Sequence, residues 1–275
     1  MSPRLLLVVL LLSSVGCASS EENGDRVGPQ DPWTLVWADE FDGENVNPEH
    51  WSFALGTGSD EGLTQWGNGE LQSYTDAPEN CTVSDGVLRI TALENGTGDI
   101  PYTSARLHTR ETHLMERGRF EIRVKLPAGP GLWPAFWLLG NDRDDETWPD
   151  AGEIDIFELV GQRPDEIAGS LHGPGYSGGG AISTTVTLEE GTFADDFHVI
   201  ALEWDASRIA WFLNGESFAV QTHAQMGNRP WVFNHDFYMI LNLAVGGNYP
   251  GPPDETTVFP AVMEVDYIRV FTRSP

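Results

Sequence analysis

From Arg119 to Leu126 polar and apolar residues alternate without a break, the period of a strand with one wetted face. Phe197 to Trp204, Ile209 to Leu213 and Glu216 to Gln221 are apolar-rich runs separated by Asp205-Ala206-Ser207-Arg208 and by Asn214-Gly215. They predict a meander, because Asn-Gly accepts the positive φ angles of a tight hairpin turn. Further strands are predicted at Val87 to Leu93, Ser104 to Arg110, Gly152 to Leu159, Ala181 to Leu188, Phe237 to Leu243 and Val262 to Thr272. No stretch carries a long amphipathic helical period, and Ala224 to Trp231 allows only a short helical turn. Many short strands punctuated by Gly and Pro predict an all-β sandwich or jelly roll in one domain.

The first residues break this pattern. Arg4 precedes an uninterrupted apolar run from Leu5 to Leu12, too short for a permanent bilayer span, so residues 1–17 read as a signal peptide. Val15-Gly16 directly before Cys17 resembles a bacterial lipobox, although Ser14 departs from the usual Leu, and predicts either a lipidated Cys17 or ordinary cleavage nearby. Residues 18–30 are small, polar and acidic, and are expected to form a flexible tether to a folded domain at 31–275. The product is expected outside the cell or at a bacterial cell surface, as a monomer with membrane attachment through Cys17. With Cys17 as anchor, Cys81 is the one thiol left in the domain and reads as a small buried apolar residue. Asn80 and Asn95 lie in glycosylation sequons, which matter only in a eukaryote.

A net charge of −27, a pI near 4.3 and a single lysine, Lys125, exclude the clustered cations that nucleic acid requires. Polyanionic polysaccharides are disfavoured for the same reason, which leaves a neutral substrate. The acidic surplus serves solubility.

Gly152-Glu153-Ile154-Asp155-Ile156-Phe157-Glu158-Leu159 places three carboxylates in an apolar strand. Extended geometry puts Glu153 and Asp155 on one face and Ile154 and Ile156 on the other. Glu158 then has the wrong parity, and an extra residue at Ile156-Phe157, absorbed as a β-bulge, would return it to the face of Glu153. A solvated edge strand also explains a lone Glu-x-Asp; three acids in line after a parity correction favour the paired carboxylates of glycoside hydrolysis.

The flanking motifs carry a resemblance. Trp37-Ala38-Asp39-Glu40-Phe41-Asp42-Gly43, Trp66-Gly67-Asn68-Gly69-Glu70-Leu71-Gln72, Tyr102-Thr103-Ser104-Ala105-Arg106 and Gly131-Leu132-Trp133-Pro134-Ala135-Phe136-Trp137 precede the acid strand. Ser170-Leu171-His172-Gly173, Leu241-Asn242-Leu243-Ala244-Val245-Gly246-Gly247 and Val265-Asp266-Tyr267-Ile268-Arg269-Val270 follow it. From about Leu35 to Phe271 the chain resembles glycoside hydrolase family 16, in its bacterial endo-β-1,3-glucanase (laminarinase) branch. The resemblance implies a concanavalin-like jelly roll of two curved antiparallel sheets with a concave cleft for β-glucan, and catalysis without a cofactor. It implies Glu153 as nucleophile, Asp155 as the residue that orients and tunes it, and Glu158 as general acid/base. Phe157 falls where this branch carries one residue more than the lichenases. A mixed-linkage β-1,3-1,4-glucanase is the alternative, with an agarase or a non-catalytic β-glucan-binding protein further behind.

Retention of configuration asks for two carboxyls about 5–5.5 Å apart, one ionised and one protonated. Negative charge on Glu153 and Asp155 is expected to raise the pKa of Glu158 and keep it protonated. Sugar rings present apolar C–H faces and a hydroxyl rim, so aromatic and polar side chains should share the cleft. By resemblance these are Trp133, Trp137, Trp148, Asn68, Arg106 and His172, whereas Trp37, Trp51, Trp204 and Trp211 read as core. Arg106 serves equally as a partner for a surface acid, and His172 as a cap on the Gly173-Pro174-Gly175 turn. The resemblance further implies a structural Ca²⁺ held by Asp266 with donors around Glu40 and Gly86; Asp266 bonded to backbone N–H groups is the other reading.

Overall fold

The computed structural model describes residues 33–141 and 147–273, so the expected signal peptide at 1–17, with Cys17, and the expected tether at 18–30 lie outside the described residues. Two large antiparallel sheets form most of the domain, beside a two-stranded parallel pair of Gln72–Tyr74 and Tyr102–Ser104. In lateral order the first holds Glu216–Thr222, Arg208–Leu213, His198–Trp204, Gly118–Lys125, Ala261–Arg273, Val87–Ala92 and Cys81–Ser84, with Trp33–Asp39 also paired on Ala261–Arg273. The second runs Ile182–Thr187, Glu166–His172, Glu153–Glu158, Leu132–Gly140, Phe237–Val245, Arg106–His108 and Ser52–Phe53.

The core lies between the sheets, where period-2 alternation points the apolar set of each strand inward. Phe120, Ile122 and Val124 meet residues such as Phe136, Leu138, Ile154, Ile156 and Phe157, all of them buried. Burying a large apolar side chain contributes about 1.5–3 kcal/mol, so Ile154, Ile156 and Phe157 together fix the face and register of the acid strand. Trp37, Trp51, Trp204 and Trp211 are buried as expected. Cys81 is buried too, and burial pushes its thiol up to about 12, which removes it as a nucleophile. The Asn80 side chain is closed inside, donating to Thr91 O and accepting from Thr75 Oγ1.

The meander forms as the turn chemistry predicts, with Asn214 at φ 50° and Gly215 at φ 89°. At Ala224 to Trp231 only a 3₁₀ turn, His223–Met226, develops, started by a Thr222–Gln225 capping box. Strands Leu132–Gly140 and Glu166–His172 were not predicted from the pattern of apolar positions. Pro134 disguises the first: proline is rare inside a central strand, and here it adjoins the irregularity in the acid strand, one of the places that tolerate it.

Candidate active site

Directly opposed residues of an antiparallel pair share a face, so the registers of the second sheet define its outer surface. Glu153 faces Leu139 and His172, and Asp155 faces Trp137 and Ser170. Between Asp155 and Glu158 the register shifts against both neighbours: three steps on the acid strand match two on the strand beside it, from Trp137 to Ala135 and from Ser170 to Ala168. This is a β-bulge. Ile156 and Phe157 are both fully buried, and Glu158 returns to the outer face between Ala135 and Ala168. The strand Phe237–Val245 adds Asn242 and Ile240 to the same rows, and beyond Asn242 stands Arg106.

All three acids titrate high. Burial is the main cause for each, with the Asp155 charge next for both glutamates; it lifts Glu153 to about 8, Glu158 to about 8 and Asp155 to about 7. Desolvation therefore outranks the like-charge effect expected for Glu158 from sequence. Each carboxylate is also steadied by a hydrogen bond: Trp133 Nε1–H donates to Glu158 at 3.0 Å, Trp148 bonds Glu153, and Glu153 and Asp155 bond each other.

His172 lies 3.0 Å from Asp155 Oδ2 and 3.6 Å from Glu153 through its Nε2. Its Nδ1 accepts the Gly178 backbone N–H at 3.1 Å, so the ring hydrogen sits on Nε2, aimed at the carboxylates. Glu153, Asp155 and His172 are close enough to suggest a metal triad. The donor chemistry does not fit one, because the nitrogen facing the acids carries a hydrogen and offers no lone pair.

Aromatic rings wall the groove. The Arg106 guanidinium lies between two indoles, 4.4 Å from the Trp66 ring centre and 4.9 Å from that of Trp137. Trp137 Nε1 donates to Asn242 Oδ1 at 2.8 Å, and Asn242 in turn donates to Tyr74 Oη at 3.1 Å. Tyr74, Gln72 and Asn68 all donate to Glu70, a buried carboxyl whose pKa burial raises and the nearby Arg106 charge lowers. On the Glu158 side, Tyr249 packs edge-on against Trp133 at 5.6 Å. Trp148, 49% exposed, stands 6.1 Å from the His172 ring.

Residues 68–269 match the Glycosyl hydrolases family 16. The chain belongs to glycosyl hydrolase family 16. It is 39% identical to a β-glucanase of Rhodothermus marinus, over 95% of this chain and 92% of that protein. It is 36% identical to glucan endo-1,3-β-glucosidase A1 of Niallia circulans over 92% of this chain, but spans only 40% of that longer protein. The laminarinase catalytic domain of Thermotoga maritima superposes with a TM-score of 0.85 at 44% identity, covering 89% of this chain and all (100%) of that domain.

For a family 16 domain, the residues expected around the cleft gather on one face: Glu153, Asp155, Glu158, Trp133, Trp137, Trp148, Arg106 and His172, with Asn68 reaching them through Glu70. Trp66, Glu70, Tyr74, Asn242 and Tyr249 join them without having been singled out. The surface-acid reading of Arg106 gives way to its indole sandwich, and His172 turns toward the acids while its Nδ1 binds the loop at Gly178. The expected calcium donors lie elsewhere. Asp266 pairs with Arg123 at 2.6 Å, Glu40 holds Arg269 through both oxygens at 2.7 and 2.8 Å, and Gly86 adjoins Asp42. Asp266, the one side-chain ligand expected for Ca²⁺, already has a guanidinium partner and does not fit that role; the backbone carbonyls expected around Glu40 and Gly86 are separate donors from the Glu40 carboxylate.

Proposed function

We propose that this chain is a retaining endo-glycosidase that hydrolyses internal β-1,3 linkages of neutral β-glucans such as laminarin. The bulge at Ile156-Phe157 carries the reading, because it brings Glu153, Asp155 and Glu158 onto one face of one strand beside Trp133 and Trp137. The names of the relatives, a β-glucanase, an endo-1,3-β-glucosidase and a laminarinase, support the same substrate class.

Glu153 attacks the anomeric carbon while Glu158 protonates the leaving oxygen; Glu158 then takes a proton from the water that releases the glycosyl-enzyme. A high pKa suits Glu158 for the first step, since the acid must hold its proton near neutrality. Glu153 needs to be ionised when it attacks, and its hydrogen bond to Asp155 offers a second carboxyl to which the proton can pass as the nucleophile engages the sugar. Trp137, Trp133 and Tyr249 offer ring faces to sugar C–H surfaces, and Asn68 and Arg106 offer donors to hydroxyls.

Export and attachment at the cell surface through Cys17 are part of the proposal and rest on the N-terminal pattern. Mass spectrometry of the native N-terminus tests them, and an unmodified N-terminus beyond Cys17 makes the enzyme a plain secreted protein. The activity is tested by proton NMR of laminarin in the first minutes of digestion, where β-anomeric products are expected. Early α-anomer signals would exclude Glu153 as nucleophile, and mixed-linkage glucan outcompeting laminarin by a wide margin would move the assignment to the β-1,3-1,4 reading.

A further inference from the structure

The hydrogen-bond chain behind the nucleophile has a direction. It begins at Gly178, at φ +53° in the Gly178–Gly180 turn, a conformation that L side chains rarely adopt. The Gly178 N–H can only donate, so His172 Nδ1 must accept. His172 Nε2 must then donate, and its nearest acceptor is Asp155 Oδ2 at 3.0 Å. With that oxygen engaged, Asp155 meets Glu153 in a hydrogen bond between two carboxyls, which requires one proton between them.

We propose that His172 is a positioning residue for that proton: the Gly178 amide locks its ring as an Nε2–H donor, and the donor holds the Glu153–Asp155 pair in the singly protonated, singly charged state that nucleophilic attack uses. The inference rests on the reading of Glu153 as nucleophile. A donor aimed at a carboxylate stabilises the charged form against full protonation. Among the described residues, the titratable groups facing the pair are Glu158 on the same strand and His172 on Glu166–His172. Leu132–Gly140 presents Trp137 and Trp133 toward the acids, Trp148 approaches Glu153, and Tyr249 and Arg163 lie on the far side of Glu158. No other facing group supplies the N–H that Asp155 Oδ2 receives among these.

The test compares His172→Leu with His172→Gln, whose amide nitrogen can reach the position of Nε2. In His172→Leu the acidic limb of the kcat/KM profile on laminarin should move upward by about one pH unit, as expected for losing one hydrogen bond to a charged group, with KM unchanged. His172→Gln should restore the limb. Ring-nitrogen NMR of the wild-type protein should find Nε2 protonated and Nδ1 bare through the active pH range. A raised KM with the limb unmoved would make His172 a sugar contact, and an equal effect of Gln and Leu would make it a packing residue; either overturns the proposal. Covalent labelling of the wild-type protein by a 2-deoxy-2-fluoro glucoside tests the nucleophile separately: a label on a residue other than Glu153 removes the underlying reading whatever the His172 variants do.

Discussion

Trp211 Nε1, reaching across from the first sheet, donates a buried hydrogen bond of 2.8 Å to the backbone carbonyl of Asp155, the last residue before the register breaks. The indole also lies so close to Gly169 that a Cβ there would come within 2.4 Å of it, so the neighbouring strand is shaped to admit this ring. One core tryptophan thereby ties the opposite sheet to the bulge that orients the acids.

Trp211→Phe keeps most of the ring and removes the donor. Leaving a buried carbonyl unpaired is expected to lower stability by about 1–3 kcal/mol, and loosening of the bulge should reduce kcat more than it raises KM. Denaturant unfolding and laminarin kinetics check this. An unchanged midpoint and full activity would mean that the hydrogen bond does not hold the bulge.

The acids should destabilise the fold as pH rises. Glu153 and Glu158 titrate near 8 in the folded protein against an ordinary value of 4.5. Between those values the native state binds more protons than the unfolded chain, so stability falls as pH increases. Glu153→Gln and Glu158→Gln escape this loss: their Tm should equal that of the wild-type protein near pH 4 and exceed it near pH 9, by an amount corresponding to a few kcal/mol. A Tm advantage that is the same at both pH values would contradict the raised values.

Trp133 donates a single hydrogen bond to Glu158, the proposed acid/base. Its indole favours the Glu158 carboxylate, opposing the burial that lifts Glu158 to about 8. In Trp133→Phe the carboxyl should hold its proton more tightly, and the alkaline limb of kcat/KM should move up by about one pH unit. A downward movement would show that the Trp133 hydrogen bond does not favour the Glu158 carboxylate.

The acid strand was legible because it violates its own period, and Glu158 is on the cleft face only if one residue bulges. Core tryptophans were legible because they sit in apolar strands. Glu70 and Tyr249 were not, since nothing local marks them: Glu70 becomes a buried centre only when Gln72, Tyr74 and Asn68 converge on it, and Tyr249 meets Trp133 from a loop far along the chain. The same distance hid the partners of Asp266 and Glu40, arginines 143 and 229 residues away in sequence. An unpaired-looking carboxylate in a strand invites a cation, and here the fold supplies guanidinium.

Phe157 decides whether the parity of the strand matters to chemistry. It is fully buried and pairs with Phe136 directly after Ile156, the residue that finds no partner on that strand, so it belongs to the two-residue stretch by which the acid strand outruns its neighbour. Deleting it should restore regular alternation, turn Glu158 toward the core or slip the strand by one residue, and abolish hydrolysis even where the protein still folds. Phe157→Met keeps the count and the apolar contact; with a flexible side chain filling much of the same space it should cost less than about 1.5 kcal/mol and retain most activity. Circular dichroism, thermal unfolding and laminarin hydrolysis of the two variants separate the effects. A deletion variant with wild-type turnover would show that Glu158 reaches its place without the bulge, and an inactive but stable Phe157→Met would give the ring itself a role beyond keeping register.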